Sequence, residues 1–116
     1  MGVKTYKPVL TESIAVSAAT VKNRFIGFDG ALCAAGAKAL GVSQVDVDAE
    51  EVLPVMVEGI ALVEASAAIS IGAAVAAAGT STAAGKAATV ANSAICNGYA
   101  MDAATAAGDI IRVKLV

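Results

Sequence analysis

The sequence predicts an all-β fold: a small single-domain β-barrel or β-sandwich of short strands with one or two short helical turns. Three observations predict it. Ile110 to Val116 alternates apolar and charged residues with a period of two, the pattern of a half-buried strand. Asp29-Gly30 sits between two short apolar runs, the dipeptide that suits a tight hairpin turn. Eleven glycines are spread through the 116 residues and divide the chain into seven or eight short apolar stretches.

The elements follow in chain order. Residues 1–13 read as an N-terminal arm and residues 14–116 as one β-rich domain. In the arm, Lys4 and Lys7 lie three positions apart, so a straight strand points them to opposite faces, with Tyr6 on the Lys4 face. A bulge or turn is needed to bring both lysines to one side. Pro8 withholds a backbone donor, which suits a segment leaving the body more than a central strand. Phe25 to Phe28 and Ala31 to Cys33 flank Asp29-Gly30 as a hairpin with a two-residue primed turn. Val42 to Val47 alternates as a strand. Val52 to Val63 is a Val-rich strand in which Pro54 marks an edge or a start, and Gly59 a bulge or a close backbone approach. Ala73 to Ala78 and Lys86 to Ala91 form two short strands around a flexible 79–85 connection. Ile95 to Met101 is another strand. In the last one, Ile111, Val113 and Leu115 face the core, while Arg112 and Lys114 face solvent or a partner.

Ala65 to Ile71 and Asp102 to Ala107 each suit one helical turn. They belong to a faint internal repeat, in which a strand opened by Gly59 or Gly98 runs to a carboxylate, Glu64 or Asp102. Each carboxylate is expected to cap the small-residue turn that follows it.

Composition narrows the function. Charged residues are 16% and the net charge is −2, so the chain collapses into a core instead of staying solvated. Alanine accounts for 29 residues and brings little area to bury. Histidine is absent, which removes the commonest general base and metal ligand together with histidine-dependent triads. Cys33 and Cys96 are 63 positions apart in apolar surroundings and read as buried free thiols. Lysines and arginines are scattered, which argues against a nucleic-acid groove. Ala65 to Gly85 carries no charge, but only Ile69, Ile71 and Val75 are strongly apolar, too few to drive insertion into a bilayer. Pro8, Thr11 and Glu12 interrupt any apolar leader near the N-terminus.

Candidate chemistry fails on spacing. Gly79 to Lys86 has one residue too many for a phosphate loop and Ala87 where a hydroxyl is required, and Gly36 to Gly41 is followed by Val42 where the lysine belongs. Asp46, Asp48 and Glu50 open like a calcium loop, but Glu51 stands at its glycine and Val57 at its closing glutamate. They read as a solvated acidic turn. The sequence therefore assigns no catalytic, metal-binding or cofactor-binding residue, and the chain is not expected to be an enzyme.

Three segments carry a resemblance. Leu40-Gly41-Val42-Ser43, then Val57 to Ala65, and above all Gly98 to Leu115 resemble the small capsid decoration, or cement, proteins of tailed bacteriophages. In the last segment a Gly-x-Ala strand, an Ala-rich turn and Gly108-Asp109 precede an Arg-Val strand. The chain departs from that pattern at Gly72 to Val75, which leaves the course of the central hairpin open. The resemblance implies a β-rich structural virion protein that binds the outer surface of an assembled head as a homo-oligomer and stabilises it. Its partners would be the major capsid protein and copies of itself, a homotrimer first and a dimer second, with no cofactor, nucleic acid or membrane involved. It would be made in the host cytoplasm and reside on the outside of the virion. The basic, aromatic arm of Lys4, Tyr6 and Lys7 is the expected capsid contact. The alternative function is a small bacterial β-barrel adaptor or carbohydrate-binding module, which the lack of tryptophan disfavours.

Overall fold

A computed structural model describes residues 5–35, 37–78, 84–90 and 96–116. Among these residues the chain is all-β, with β1 (Lys7–Ala15), β2 (Phe25–Ile26), β3 (Gly41–Ser43), β4 (Val52–Glu64), β5 (Ala74–Ala77), β6 (Ala87–Thr89), β7 (Gly98–Ala100) and β8 (Ile110–Leu115). Every ladder is antiparallel, in the order β2-β3-β4-β8-β7-β5-β6, with β1 paired to β4 off this path. The sheet curls until its ends nearly meet. Ala65, just past β4, bridges Ala87 of β6, and Phe25 donates its N–H to the Gly85 carbonyl at 2.7 Å. The result is a nearly closed barrel.

β4 organises the core, because its pleat changes sides halfway along. Before residue 57, the odd residues Leu53 and Val55 pack with Val16 and Ile26 in a small cluster outside the barrel. Met56, the even neighbour, packs inside with Phe25, Val42, Ile111 and Val113. Beyond Gly59 the odd residues Ala61 and Val63 are the inward ones. A one-residue slip of pleat reverses every side chain that follows. The slip in β4 is Val57, which has no partner between Met56 and Glu58, and a matching extra residue, Val9, lies between Pro8 and Leu10 of β1. Gly59, opposite Pro8 and against Val9, has a φ of +123°, and a methyl group there would strike the Lys7 carbonyl oxygen. The sequence expectation for Gly59 holds as a close backbone approach, while the extra residues of the ladder are Val9 and Val57.

β8 keeps its expected register. Ile111 and Val113 are fully buried and Lys114 is exposed, whereas Leu115 is only half-buried at the rim of the core. Pro54 lies near the start of β4, opposite Ser13 of β1.

Several expectations are corrected. Neither Ala65 to Ile71 nor Asp102 to Ala107 is helical. The two turns bond to one another, with Ile69 N–H to the Ala104 carbonyl at 2.9 Å and the reverse bond at 2.8 Å. A turn that satisfies its backbone groups on a neighbour has no need of helical bonds. Glu64 and Asp102 therefore cap no helix: Asp102 binds Arg112, and Glu64 binds Arg24 and Lys86. The expected strand Val42 to Val47 stops at Ser43, so Asp46, Asp48 and Glu50 share no strand face. Their segment turns instead, and Glu50 has a φ of +68°. The Phe25 to Cys33 hairpin exists, closed by Gly27 N–H to the Ala31 carbonyl at 2.8 Å. Its turn runs Gly27 to Gly30 with Gly30 at a φ of +80° and Asp29 outside the left-handed region, so it is a three-residue loop and not a primed turn. Residues 79–83, most of the expected flexible connection, and Ile95 lie outside the described residues; the flanking strands β5 and β6 do pair.

Candidate functional site

The most unusual surface is β1. A strand paired in a sheet normally buries one face, yet all but Ile14 of its nine residues are exposed. β1 and β3 both pair with Val55 and Met56, so they lie on opposite edges of β4. At Ile60, β1 and β8 stand in the same relation, opposite Lys7 and Lys114. The outer edge of β1 consequently has no ladder partner among the described residues. Val9 is 77% exposed and Leu10 48%. An open edge carrying apolar side chains is a liability that soluble proteins normally blunt.

The expected capsid-contact residues fall at one end of this strand. Lys7 opens β1, Tyr6 precedes it, and Lys4 lies outside the described residues. Residues 7–13 of the expected arm are thus part of the β1 ladder. Tyr6, half-exposed, lines a shallow cavity of about 190 Å³ together with Lys22, Asn23, Gln44, Met56 and Leu62. Lys7, Ile60, Lys114 and Tyr99 are successive cross-strand partners on β1, β4, β8 and β7. They form a row in which two cations and an exposed aromatic ring surround a half-buried isoleucine. Exposed charge beside apolar area suits a macromolecular partner more than a small ligand.

Sequence reasoning missed Val9, Leu10, Glu12 and Lys114 as members of this surface. Lys114 was legible as outward-facing, but its neighbours come from strands far away in sequence. The bulge at Val9 was the missing element: the sequence offered a bulge or turn between Lys4 and Lys7 and, separately, one at Gly59, and neither falls at Val9.

Elsewhere, polar groups serve the fold. Asp102 takes Arg112 in a bidentate pair, accepting from the side-chain nitrogens at 3.0 and 2.9 Å, and also accepts the Arg112 backbone N–H at 2.9 Å. These bonds hold the Arg112 guanidinium above its ordinary pKa. Glu64 joins Lys86 at 3.0 Å and Arg24 at 3.5 Å, and Arg24 donates to the Ala84 carbonyl at 3.1 Å. That group ties the end of β4 to the approach of β6, where the barrel closes. Asp46 accepts the Lys22 backbone N–H at 2.8 Å, and Glu51 accepts that of Asp48 at 2.7 Å. Among the described residues no three acidic or cysteine side chains converge as metal ligands. Cys33 and Cys96 are both buried and free, and burial, with a smaller contribution from Asp29, pushes the Cys33 thiol up. No helix among the described residues is long and apolar enough to cross a membrane.

Comparison with known proteins adds to this geometry. A search of curated proteins finds no match. Among solved structures, the crystal structure of the head fiber gp8.5 N base of bacteriophage phi29 superposes with a TM-score of 0.72. The likeness covers 92% of this chain and 93% of that one at 16% identity, and it shows a shared fold. A family model described as phage cement protein matches residues 3–115, almost the whole sequence. The chain belongs to the phage cement protein family.

Proposed function

We propose that this protein is a structural component of the virion that binds the outer surface of an assembled bacteriophage capsid as a homo-oligomer and stabilises the head. The family match over residues 3–115 carries the reading, and the exposed β1, whose outer edge has no ladder partner among the described residues, supplies a surface for it. The major capsid protein is the partner, and no catalytic step, cofactor or metal is required. Lys4, Tyr6 and Lys7 form the contact, with Tyr6 as the apolar anchor and the lysines adding charge attraction toward an acidic shell. An oligomer engages several capsid subunits at once, so contacts that are individually weak add up through effective concentration.

The test is co-sedimentation with undecorated capsids, comparing the full chain with one lacking residues 1–6, which keeps β1 whole. The truncated chain is expected to fold normally and bind more weakly. Binding of the full chain is expected to weaken as salt rises above about 0.1 M, where the screening length falls to about 10 Å. Equal retention of both chains at low and high salt would remove the arm from the contact, and no retention of either would remove the capsid role.

A further inference from the structure

We infer that the groove between residues 19–21 and 46–51 is a docking site for a lysine- and arginine-rich segment of a partner protein. The groove contains none of Lys4, Tyr6 and Lys7 and carries the opposite charge, so its occupant is independent of capsid attachment. Its two walls are locked together by the backbone. Thr20 and Val47 exchange both main-chain hydrogen bonds, at 3.0 and 3.1 Å, and the Lys22 N–H donates to Asp46 Oδ1 at 2.8 Å. The turn from Asp48 to Glu51 is closed twice. The Glu51 N–H donates to the Asp48 carbonyl at 3.2 Å, and the Asp48 N–H donates to Glu51 Oε1 at 2.7 Å.

Between these walls lies a groove of about 450 Å³. Ala19, Val21 and Val47 give it apolar surface, and Asp46, Asp48 and Glu51 give it three exposed carboxylates. Among the described residues no cation lines it; Lys22 lines the separate cavity at Tyr6. Asp46 and Glu51 each spend one oxygen on the bracing bonds. Their second oxygens, and both oxygens of Asp48, have no hydrogen bond among the described residues. Spare carboxylate oxygens beside apolar surface suit a group with an aliphatic stem and a cationic head. A lysine or arginine lays its stem on Val21 and Ala19 and brings its head to the carboxylates. Thr20 supplies a further polar group at the wall: it is 2% exposed, and its hydroxyl has no hydrogen-bond partner among the described residues. A main-chain group of the bound segment can meet that hydroxyl, which is otherwise buried at a cost. A bare divalent ion suits the groove less well, since no three acidic side chains converge and the apolar lining offers nothing to coordinate. Two such grooves set face to face would oppose like charges, so the occupant is a different, cationic surface.

Amide shifts of the full chain, titrated at low salt with a capped six-residue peptide alternating lysine with leucine, test this. Shifts are expected to concentrate at residues 19–22 and 46–51, and binding is expected to weaken as salt rises. The triple variant Asp46→Asn/Asp48→Asn/Glu51→Gln keeps side-chain size and the two bracing acceptors. It is expected to fold normally and to raise the peptide's Kd about tenfold, the combined worth of three exposed charge pairs. Val21→Ser is expected to raise Kd about threefold through lost apolar contact. Glu12→Gln neutralises an exposed acid outside the groove and is expected to leave Kd unchanged. Equal binding of a peptide alternating glutamate with leucine, a triple variant that binds like the wild-type chain, or weakening by Glu12→Gln equal to that of the triple variant would each overturn the assignment. Displacement of the peptide by calcium chloride or spermidine at equal concentration would also overturn it, by making the groove a site for small cations.

Discussion

Gly59 shows how much one residue decides here. Its φ of +123° and the neighbouring Lys7 carbonyl leave no room for a side chain, and the bulge it permits sets which residues of β1 and β4 share a face. Gly59→Ala is expected to cost roughly 1–3 kcal/mol, the usual range for forcing a side chain into such backbone. Chemical denaturation with an unshifted midpoint would show that the bulge needs no glycine. The cysteines behave differently at the same scale. Cys33 and Cys96 are 1% and 2% exposed, and burial raises the Cys33 thiol, which keeps it protonated and unreactive near neutral pH. Thiol reagents should label neither residue in the native protein and both after denaturation. Rapid labelling of Cys33 under native conditions would contradict its burial.

At the scale of elements, β8 and the closure of the barrel make separable predictions. Ile111→Ala removes a fully buried side chain and should cost about 2–5 kcal/mol. Leu115→Ala, at a half-buried site, should cost about half as much, and Lys114→Ala about 0.5 kcal/mol or less. Equal costs at positions 111 and 114 would refute the register of β8. Glu64 holds Arg24 and Lys86 where β4 meets β6. Glu64→Ala leaves two partly buried cations without their carboxylate and is expected to destabilise by about 1–3 kcal/mol. Because the group straddles the barrel closure, amide exchange in β6 should quicken more than in β8. Uniform acceleration throughout would mean that closure and core unfold as one unit.

At the scale of the whole molecule, little bulky side-chain volume is divided between an interior cluster and an exterior one, and β1 adds only Ile14, packed against the exterior cluster. A protein that binds assembled heads and not free capsid subunits stabilises the assembled state by mass action. The temperature at which undecorated capsids disrupt is therefore expected to rise with protein concentration and then level off at full occupancy. An unchanged disruption temperature at saturation would mean that the protein decorates without reinforcing.

Local patterns were enough to place most strands, because period-two alternation, Pro54, Gly59 and the Asp29-Gly30 turn are properties of neighbouring residues. The same locality explains the loss of Val42 to Val47 beyond Ser43, where only Val47 finds a bridge, to Thr20, and of both helical turns, whose backbone groups bond to each other across the fold. In the candidate site, the basic and aromatic character of Tyr6 and Lys7 was visible in the sequence, whereas Leu10, Glu12 and Lys114 were not. Their grouping depends on which strands lie beside β4 and on where the ladder slips. Sequence by itself determined the all-β class, the strand faces of β8 and the absence of histidine chemistry, since each follows from residue type and short spacing. Tertiary structure alone decided that the outer edge of β1 is open among the described residues and that its bulge puts Lys7, Leu10 and Glu12 on one face. Ladder partners are chosen by long-range packing, and a bulge is a relation between two strands that neither one specifies alone.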